Sequence, residues 1–430
     1  MSMEQRPQIQ RLREVYQGVL GRLELDSGLH DRLSKETVSP YSQLLAIGKS
    51  AARMAETASA YLAPGREGFV LTKEGHLTPR LRDVLWGFET WEAGHPLPDT
   101  RGQMATERLL EWLDQVRRPG HLLLLLSGGA SSLLVDPALP LTLEDLKGLN
   151  LALLSSGLPI DQINIVRKHL STLKGGGLGE KLGRFAQVTQ LVYSDICPDW
   201  ERLDLVGSGP ALSDPSTLQD ASEILDRLAP FLLPRLMRRC REALRETPKQ
   251  LPWKAERLAD YRTLVSLAVQ AVGLRKEAPG WSDTVTGDVA ELAAGWAHLA
   301  SRLQAEGFSG VLVASGEPTV RLEGLTPGAK GGRCQELAAR FAREISGRPG
   351  LALLAGGSDG TDGPTPYTGA CVDGESWGRL VTVHGVQAAE ALLAGHDVTA
   401  LLRAVEGLLL DTGPTGHNLN DLFLLSISSS

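Results

Sequence analysis

Several apolar runs in the chain stop abruptly at loops whose residues can do chemistry. Leu44–Ile47 runs into Gly48, Lys49 and Ser50, where a helix pattern begins. A cation at a helix start opposes the helix dipole, so Lys49 calls for an anionic partner; a solvated surface lysine is the competing reading. Leu122–Leu126 runs into Ser127, Gly128, Gly129, Ala130, Ser131 and Ser132. Free backbone N–H groups at such a strand-to-helix turn attract phosphate, although a tight turn needing glycine explains the same residues. In NIVRKHLSTLKGGG, the cations Arg167, Lys168, His169 and Lys174 precede Gly175, Gly176 and Gly177. That concentration fits either a phosphate or carboxylate cradle or a solvated helix face. Arg333 follows two glycines and opens a helix, again a cation at a place that favours anions.

The acids fall at the same kind of place. Asp195 ends the run QLVYSD with Asp199 close behind, while Glu317, Asp359 and Asp362 occupy strand-end loops of the second half. An aspartate there often caps its own turn. With no His/Cys ligand set nearby, acids combined with phosphate oxygens suit Mg²⁺ and not zinc.

These loops need a scaffold that delivers strand ends to one edge. Wholly apolar strands alternating with helices predict an α/β fold with a mostly parallel sheet covered on both faces. Predicted strands include Leu44–Ile47, Gly68–Thr72, QVTQLVYSD (187–195), Leu264–Val269, and the apolar starts of HLLLLLSGGASSLL (121–134), GVLVASGEPTV (310–320) and LALLAGGSDGTDGPT (351–365). Helices are expected at 51–62, 218–248, 288–306 and 333–345, and LRETPKQLP (244–252) is the expected linker. A length of 430 residues predicts two or three domains. The expected division is 1–240 and 241–430, with the opening helix a candidate to pack on the second domain.

Composition narrows the function classes. The chain is 42% hydrophobic and 22% charged, as expected of a globular protein. Its net charge of −7 argues against nucleic acid as a partner. The four cysteines form no C-x-x-C pair, the N-terminus lacks an apolar signal core, and no run is long enough to span a bilayer. A reduced, cytoplasmic protein without membrane partners is therefore expected.

Four familiar motifs fail on inspection. Gly48-Lys49-Ser50 resembles the end of a P-loop, but Gln43 stands where that motif needs glycine. GSGPAL (207–212) and GGGLGE (175–180) lack the third glycine of a dinucleotide fingerprint. GGSDG (356–360) has the spacing of a nucleophile elbow, yet TDGPT follows it and cannot readily form the required helix.

Taken together, GKSA (48–51), HPLPD (95–99), SGGASSLL (127–134), NIVRKHLSTLKGG (164–176), SDICPD (194–199) and GSGP (207–210) resemble the type II glycerate 2-kinase family. SGEPTV (315–320), GGRCQELA (331–338), GSDGTDGPT (357–365) and TGPTGHNLNDL (412–422) continue the resemblance in order. It implies a Rossmann-like first α/β domain and a second α/β domain containing the MOFRL region (about 310–425), with the active site in the cleft between them. It also implies phosphorylation of D-glycerate by ATP and Mg²⁺ to give 2-phosphoglycerate. Lys49 and Arg333 match the family's essential lysine and arginine, and Asp195 falls on its Ser-Asp strand end. Cys334 stands where members usually have Asn, LVSLA near Ser266 replaces a Gly-Ser-Asn strand end, and Ile196-Cys197-Pro198 is an uncommon filling.

On that resemblance, Lys49 and Arg333 neutralise the migrating phosphoryl group or hold the substrate carboxylate, and Asp195 accepts the hydroxyl proton. Ser127, Gly128, Gly129, Ser131, Arg167, Lys174, Gly175, Gly176 and His95 are the candidate substrate- and nucleotide-binding residues. Asp195, Asp199, Glu317, Asp359 and Asp362 are the Mg²⁺ candidates. A homodimer is compatible with this reading. One rival is an NAD(P)H-dependent hydroxypyruvate reductase, which needs a dinucleotide fingerprint. Another is a non-catalytic sugar-phosphate sensor, which binds ligand without turning over ATP.

Overall fold

The computed structural model describes residues 6–24, 27–35, 41–116, 119–273 and 278–428. Two compact units emerge: Asp26–Ile196 with Trp200–Ala259, and Met1–Leu25 with Cys197–Asp199 and Asp260–Ser430.

The first, Rossmann-like unit carries β1 (Tyr41–Ile47), β2 (Leu62–Lys73), β3 (Glu89–Ala93), β4 (His121–Ser127), β5 (Gln187–Tyr193) and β6 (Ala255–Ala259). They lie in the order β3-β2-β1-β4-β5-β6, and every neighbouring pair is parallel. Consecutive buried residues along β1 and β4 show that the sheet is covered on both faces, which is why these strands read as unbroken apolar runs. From β1 the chain winds outward through β2 and β3, then restarts at β4 and winds the other way. The reversal between β1 and β4 is a topological switch point, where such sheets bind ligands beyond their carboxyl ends.

The second, C-terminal unit holds β7 (Thr284–Val285), β8 (Gly310–Gly316), β9 (Leu351–Gly357), β10 (Gly369–Asp373), β11 (Leu409–Leu410) and β12 (Asp421–Ile427). Their order is β11-β10-β9-β12-β8-β7. Strand β12 runs antiparallel between β8 and β9, so this sheet is mixed. The amphipathic helices Val289–Ala305 and Arg333–Glu344 bury their apolar sides in its core. The opening helix Pro7–Glu24 belongs to this unit: Tyr16 is fully buried and its hydroxyl donates to the Gly357 carbonyl at 2.7 Å.

Four expectations need correction; the first is the helix at 218–248, which is two helices, Leu218–Arg227 and Pro234–Ala243. The run Leu264–Val269 is not a strand but lies in the helix Tyr261–Val272. Asp260 caps that helix through a reciprocal bond with Thr263, and Leu264, Val265 and Ala268 face inward at helical spacing. Residues 244–252 are not a linker, because they are stitched into the Rossmann-like unit. Thr247 Oγ1 donates to Asp214 at 3.0 Å, the Leu251 N–H to Ser213 Oγ at 2.8 Å, and the Arg245 N–H to the His169 carbonyl at 3.1 Å. The units accordingly divide after Ala259 and not after residue 240, since β6 must first pair with β5. No helix among the described residues is long and apolar enough to cross a membrane.

Candidate active site

Three adjacent strands of the Rossmann-like unit deliver Lys49, the Gly128–Ser131 turn and Asp195 to one edge. Ile47 sits opposite Leu126, and Ser127 opposite Tyr193, so the residues that follow each strand emerge side by side. The Lys49 N–H donates to the Gly128 carbonyl at 2.9 Å, and the Ser50 N–H to Ser127 Oγ at 3.0 Å. The Lys49 carbonyl accepts from His76 Nδ1 at 2.9 Å and Thr72 Oγ1 at 3.2 Å. Its backbone is therefore fixed from both neighbouring strands while its side chain is half-buried. The approach is so close at Gly48 that a Cβ there would lie 2.3 Å from Ser127 Oγ. The N–H groups that open the short helix Ala130–Leu133 have no acceptor within it.

At Gly129 the backbone is left-handed, with φ +84°, and a Cβ would meet Lys49 Cγ at 3.0 Å and the His95 ring at 3.1 Å. Lys49 and His95 thus flank the turn. We predict that Gly129→Ala destabilises by about 1 kcal/mol through the positive φ and lowers turnover out of proportion, because Lys49 must shift. Chemical denaturation alongside initial rates checks this; unchanged rates would mean that Lys49 does not depend on the turn.

The glycine loop behaves otherwise than expected. Gly175, Gly176 and Gly177 donate their N–H groups to the carbonyls of Ser208, Gly209 and Lys174 at 2.9, 2.9 and 3.2 Å. Gly175 and Gly176 therefore cradle no phosphate; they brace the 207–210 loop, whose Ser208 bonds Ser131 Oγ at 3.0 Å. Among the basic residues before it, Lys168 pairs with Asp214 and Asp204 at 3.1 and 3.3 Å. Arg167 and Lys174 instead line a small cavity together with Ser131. Burial, followed by the charge of Arg167, pulls the Lys174 amine down to about 8.

In the C-terminal unit a second cluster forms around Arg333. Its Nε and Nη2 donate to the two carboxylate oxygens of Asp421 at 2.5 and 3.2 Å, and Nη1 to Glu317 at 2.6 Å. Asp421 escaped the sequence reading. The motif TGHNLND contained it, but an ion-pair partner 88 residues away leaves no local signal. Burial drives the Asp421 carboxyl above its usual range, against the opposing effect of Arg333. Asn420 Nδ2 reaches the other oxygen of Glu317 at 3.4 Å.

The candidate metal ligands are dispersed. Asp362 is committed to the helix Arg333–Glu344, accepting from the N–H groups of Cys334 and Gln335 at 3.1 and 2.8 Å and from Gln335 Nε2 at 3.1 Å. Burial and the charge of Asp421 push it up to about 7. It caps a helix and is not placed to hold a cation. Losing this cap in Asp362→Ala should cost about 1–2 kcal/mol, read as a lower urea midpoint; an unchanged midpoint would show that the helix start finds other acceptors. Asp359 Oδ1 closes a turn with the N–H and hydroxyl of Thr361, both at 2.9 Å. Asp199 is exposed and belongs to the C-terminal unit, while Asp195 is half-buried in the Rossmann-like unit. No three His, Cys, Asp or Glu side chains among the described residues are grouped to hold a metal. Mg²⁺ differs from zinc in needing only one or two carboxylates beside substrate phosphates and water.

A doubly wound sheet with a lysine and a glycine turn at its switch point defines an α/β protein equipped to meet an anionic ligand. Residues 17–243 match the family model "Domain of unknown function (DUF4147)", and residues 310–421 match "MOFRL family". The D-glycerate 2-kinase of Thermotoga maritima is 37% identical, covering 92% of this chain and 93% of its own. The glycerate 2-kinase of Pyrococcus horikoshii is 33% identical over 90% and 87%. A crystal structure of glycerate kinase from Thermotoga maritima superposes with a TM-score of 0.76 at 33% identity, covering 97% of this chain and 99% of that one. The chain belongs to the glycerate kinase family.

Proposed function

We propose that this protein transfers the terminal phosphoryl group of ATP to the 2-hydroxyl of D-glycerate. The observation that carries this reading is Lys49 beside the Gly128–Ser131 turn at the switch point of the parallel sheet. Phosphoryl transfer asks for positioning and charge neutralisation more than covalent chemistry. The turn's N–H groups hold phosphate oxygens, and the Lys49 ammonium meets the charge that builds during transfer. As the acceptor oxygen bonds to phosphorus and the bond to ADP breaks, the hydroxyl proton passes to Asp195. His95, against the turn, contacts the transferred group or its acceptor. In the C-terminal unit the same reading assigns Arg333 a charge-neutralising role, with Asp421 holding it in place.

When bound, Mg²⁺ would supply neutralisation of phosphate charge. Asp195 in the Rossmann-like unit and Asp199 in the C-terminal unit are each candidates to hold it, directly or through water; Glu317 and Asp359 are weaker candidates, because Arg333 and Asn420 engage the oxygens of Glu317 and Thr361 engages one of Asp359. Incubation with ATP, Mg²⁺ and D-glycerate, followed by ³¹P NMR, tests the proposal: 2-phosphoglycerate is expected, and 3-phosphoglycerate or no product would sink it.

One relative favours a second reading. A protein of Agrobacterium vitis, 33% identical over 87% of this chain and 84% of its own, is provisionally named a hydroxypyruvate reductase. The first strand-to-helix turn here reads Gly48-Lys49-Ser50-Ala51 and lacks the glycine spacing that admits a dinucleotide pyrophosphate. Oxidation of NADH on adding hydroxypyruvate would reverse the preference.

A further inference from the structure

The fold sorts the basic residues between Arg167 and Lys174 into satisfied and unsatisfied charges. Lys168, 3% exposed, has two carboxylate partners. His169 lies between the Arg245 carbonyl at 2.7 Å and Ser216 Oγ at 3.2 Å. Lys174 is equally deep, at 7% exposure, yet among the described residues its amine donates only to the Leu134 carbonyl at 2.8 Å. Arg167 uses Nε on Asn150 Oδ1 at 3.0 Å and has no ion-pair partner among the described residues. Buried charges are normally paired, because desolvation is costly. Two buried cations on one cavity, neither with an ion-pair partner among the described residues, favour an anion there.

The cavity's size narrows that anion. It measures about 30 Å³ and is walled by Ser131, Asn150, Arg167, Ser171 and Lys174 among polar residues, with leucines behind them. A single water needs roughly 10–15 Å³ of such space, so the cavity's enclosed part takes about two oxygen-sized atoms, as many as a carboxylate presents. Ser131 ties the cavity to the turn that Lys49 and His95 flank.

We propose that Arg167 and Lys174 form a carboxylate subsite, which holds the acid group of the phosphoryl acceptor and selects hydroxy acids over neutral polyols. This rests on the kinase reading above. The guanidinium offers its planar fork to both oxygens and the ammonium a point charge behind them. Asp136 is the acid whose charge is felt at Lys174, and Arg167 is the opposing cation. With the amine at about 8, the empty subsite loses a charge as pH rises past that value, so glycerate affinity falls there. Arg167 remains charged throughout.

The test compares D-glycerate with its neutral amide, glyceramide. Arg167→Met and Lys174→Met should each raise KM for D-glycerate by about 10- to 100-fold, the cost of one charged hydrogen bond, and leave KM for ATP nearly unchanged. Preference for glycerate over glyceramide should shrink by the same factor, and Lys174→Met should abolish the loss of affinity above pH 8. If either Met variant fails to fold, Arg167→Lys carries the test, since it keeps the charge and loses the fork. Folded variants with unchanged KM for glycerate, or a rise confined to ATP, would overturn the subsite. Calorimetric titration of D-glycerate without nucleotide separates the two ideas. Binding that depends on Arg167 without turnover defeats the kinase reading alone, and normal turnover with indifferent variants defeats the subsite alone.

Discussion

A Lys49→Ala enzyme is expected to lose about 10² to 10⁴ of its turnover, the usual worth of a preorganised charge at a reacting centre. Its melting temperature should stay within a few degrees of the parent's. The backbone at this position is held by Gly128, Thr72 and His76, none of which needs the ammonium group. The ammonium sits at the N-terminus of the helix Ala51–Ser59, where the dipole disfavours it, so its removal costs the fold little. Lys49→Arg should also be poor, because a planar fork does not replace a compact ammonium on a stem that lies beside Gly129. Near-normal turnover in Lys49→Ala would reduce this residue to a surface lysine and remove the main support for the site.

Arg333→Ala should fail differently, losing turnover and stability together. Its partner Asp421 is 4% exposed, and removing the cation strands a buried carboxylate, at a cost of about 3 kcal/mol. For a unit of this size that corresponds to roughly 6–12 °C in melting temperature. Asp421 has a folded-state pKa raised above its unfolded value even with Arg333 present, and losing the arginine raises it further. A carboxyl raised in this way favours the folded state at low pH, and that advantage disappears as pH climbs through the folded value. The Arg333→Ala deficit should therefore shrink on acidification. Arg333→Ala combined with Asp421→Asn separates the two roles. Recovery of the melting temperature without recovery of kcat is the expected result. Recovery of both would show that Arg333 serves only to neutralise Asp421.

The active edge of the Rossmann-like unit was legible in the sequence for a physical reason. Parallel strands buried on both faces must be apolar throughout, so β1 and β4 end at the residue where chemistry begins. Lys49, Gly128, Gly129 and Asp195 each lie within three residues of the end of a strand's buried run, and a dipole argument marks Lys49 without reference to any other element.

Pairings between distant segments were decided only by the tertiary structure. Leu264–Val269 could form either a strand or a helix, and the Asp260–Thr263 cap together with burial against the C-terminal unit's core chose the helix. The triple glycine at 175–177 has the composition of a phosphate loop, yet its N–H groups meet the carbonyls of Ser208, Gly209 and Lys174. Asp362 looked like a metal ligand until the start of the Arg333 helix claimed both its oxygens. Arg167, Lys168 and Lys174 share one charged stretch of sequence, but Asp204 and Asp214 arrive at Lys168, while the other two face a cavity with no ion pair among the described residues. Local sequence determines where a strand stops and which groups are exposed at its end. Whether a charge or an N–H group remains available for a ligand depends on which residues, far away in the chain, have already satisfied it.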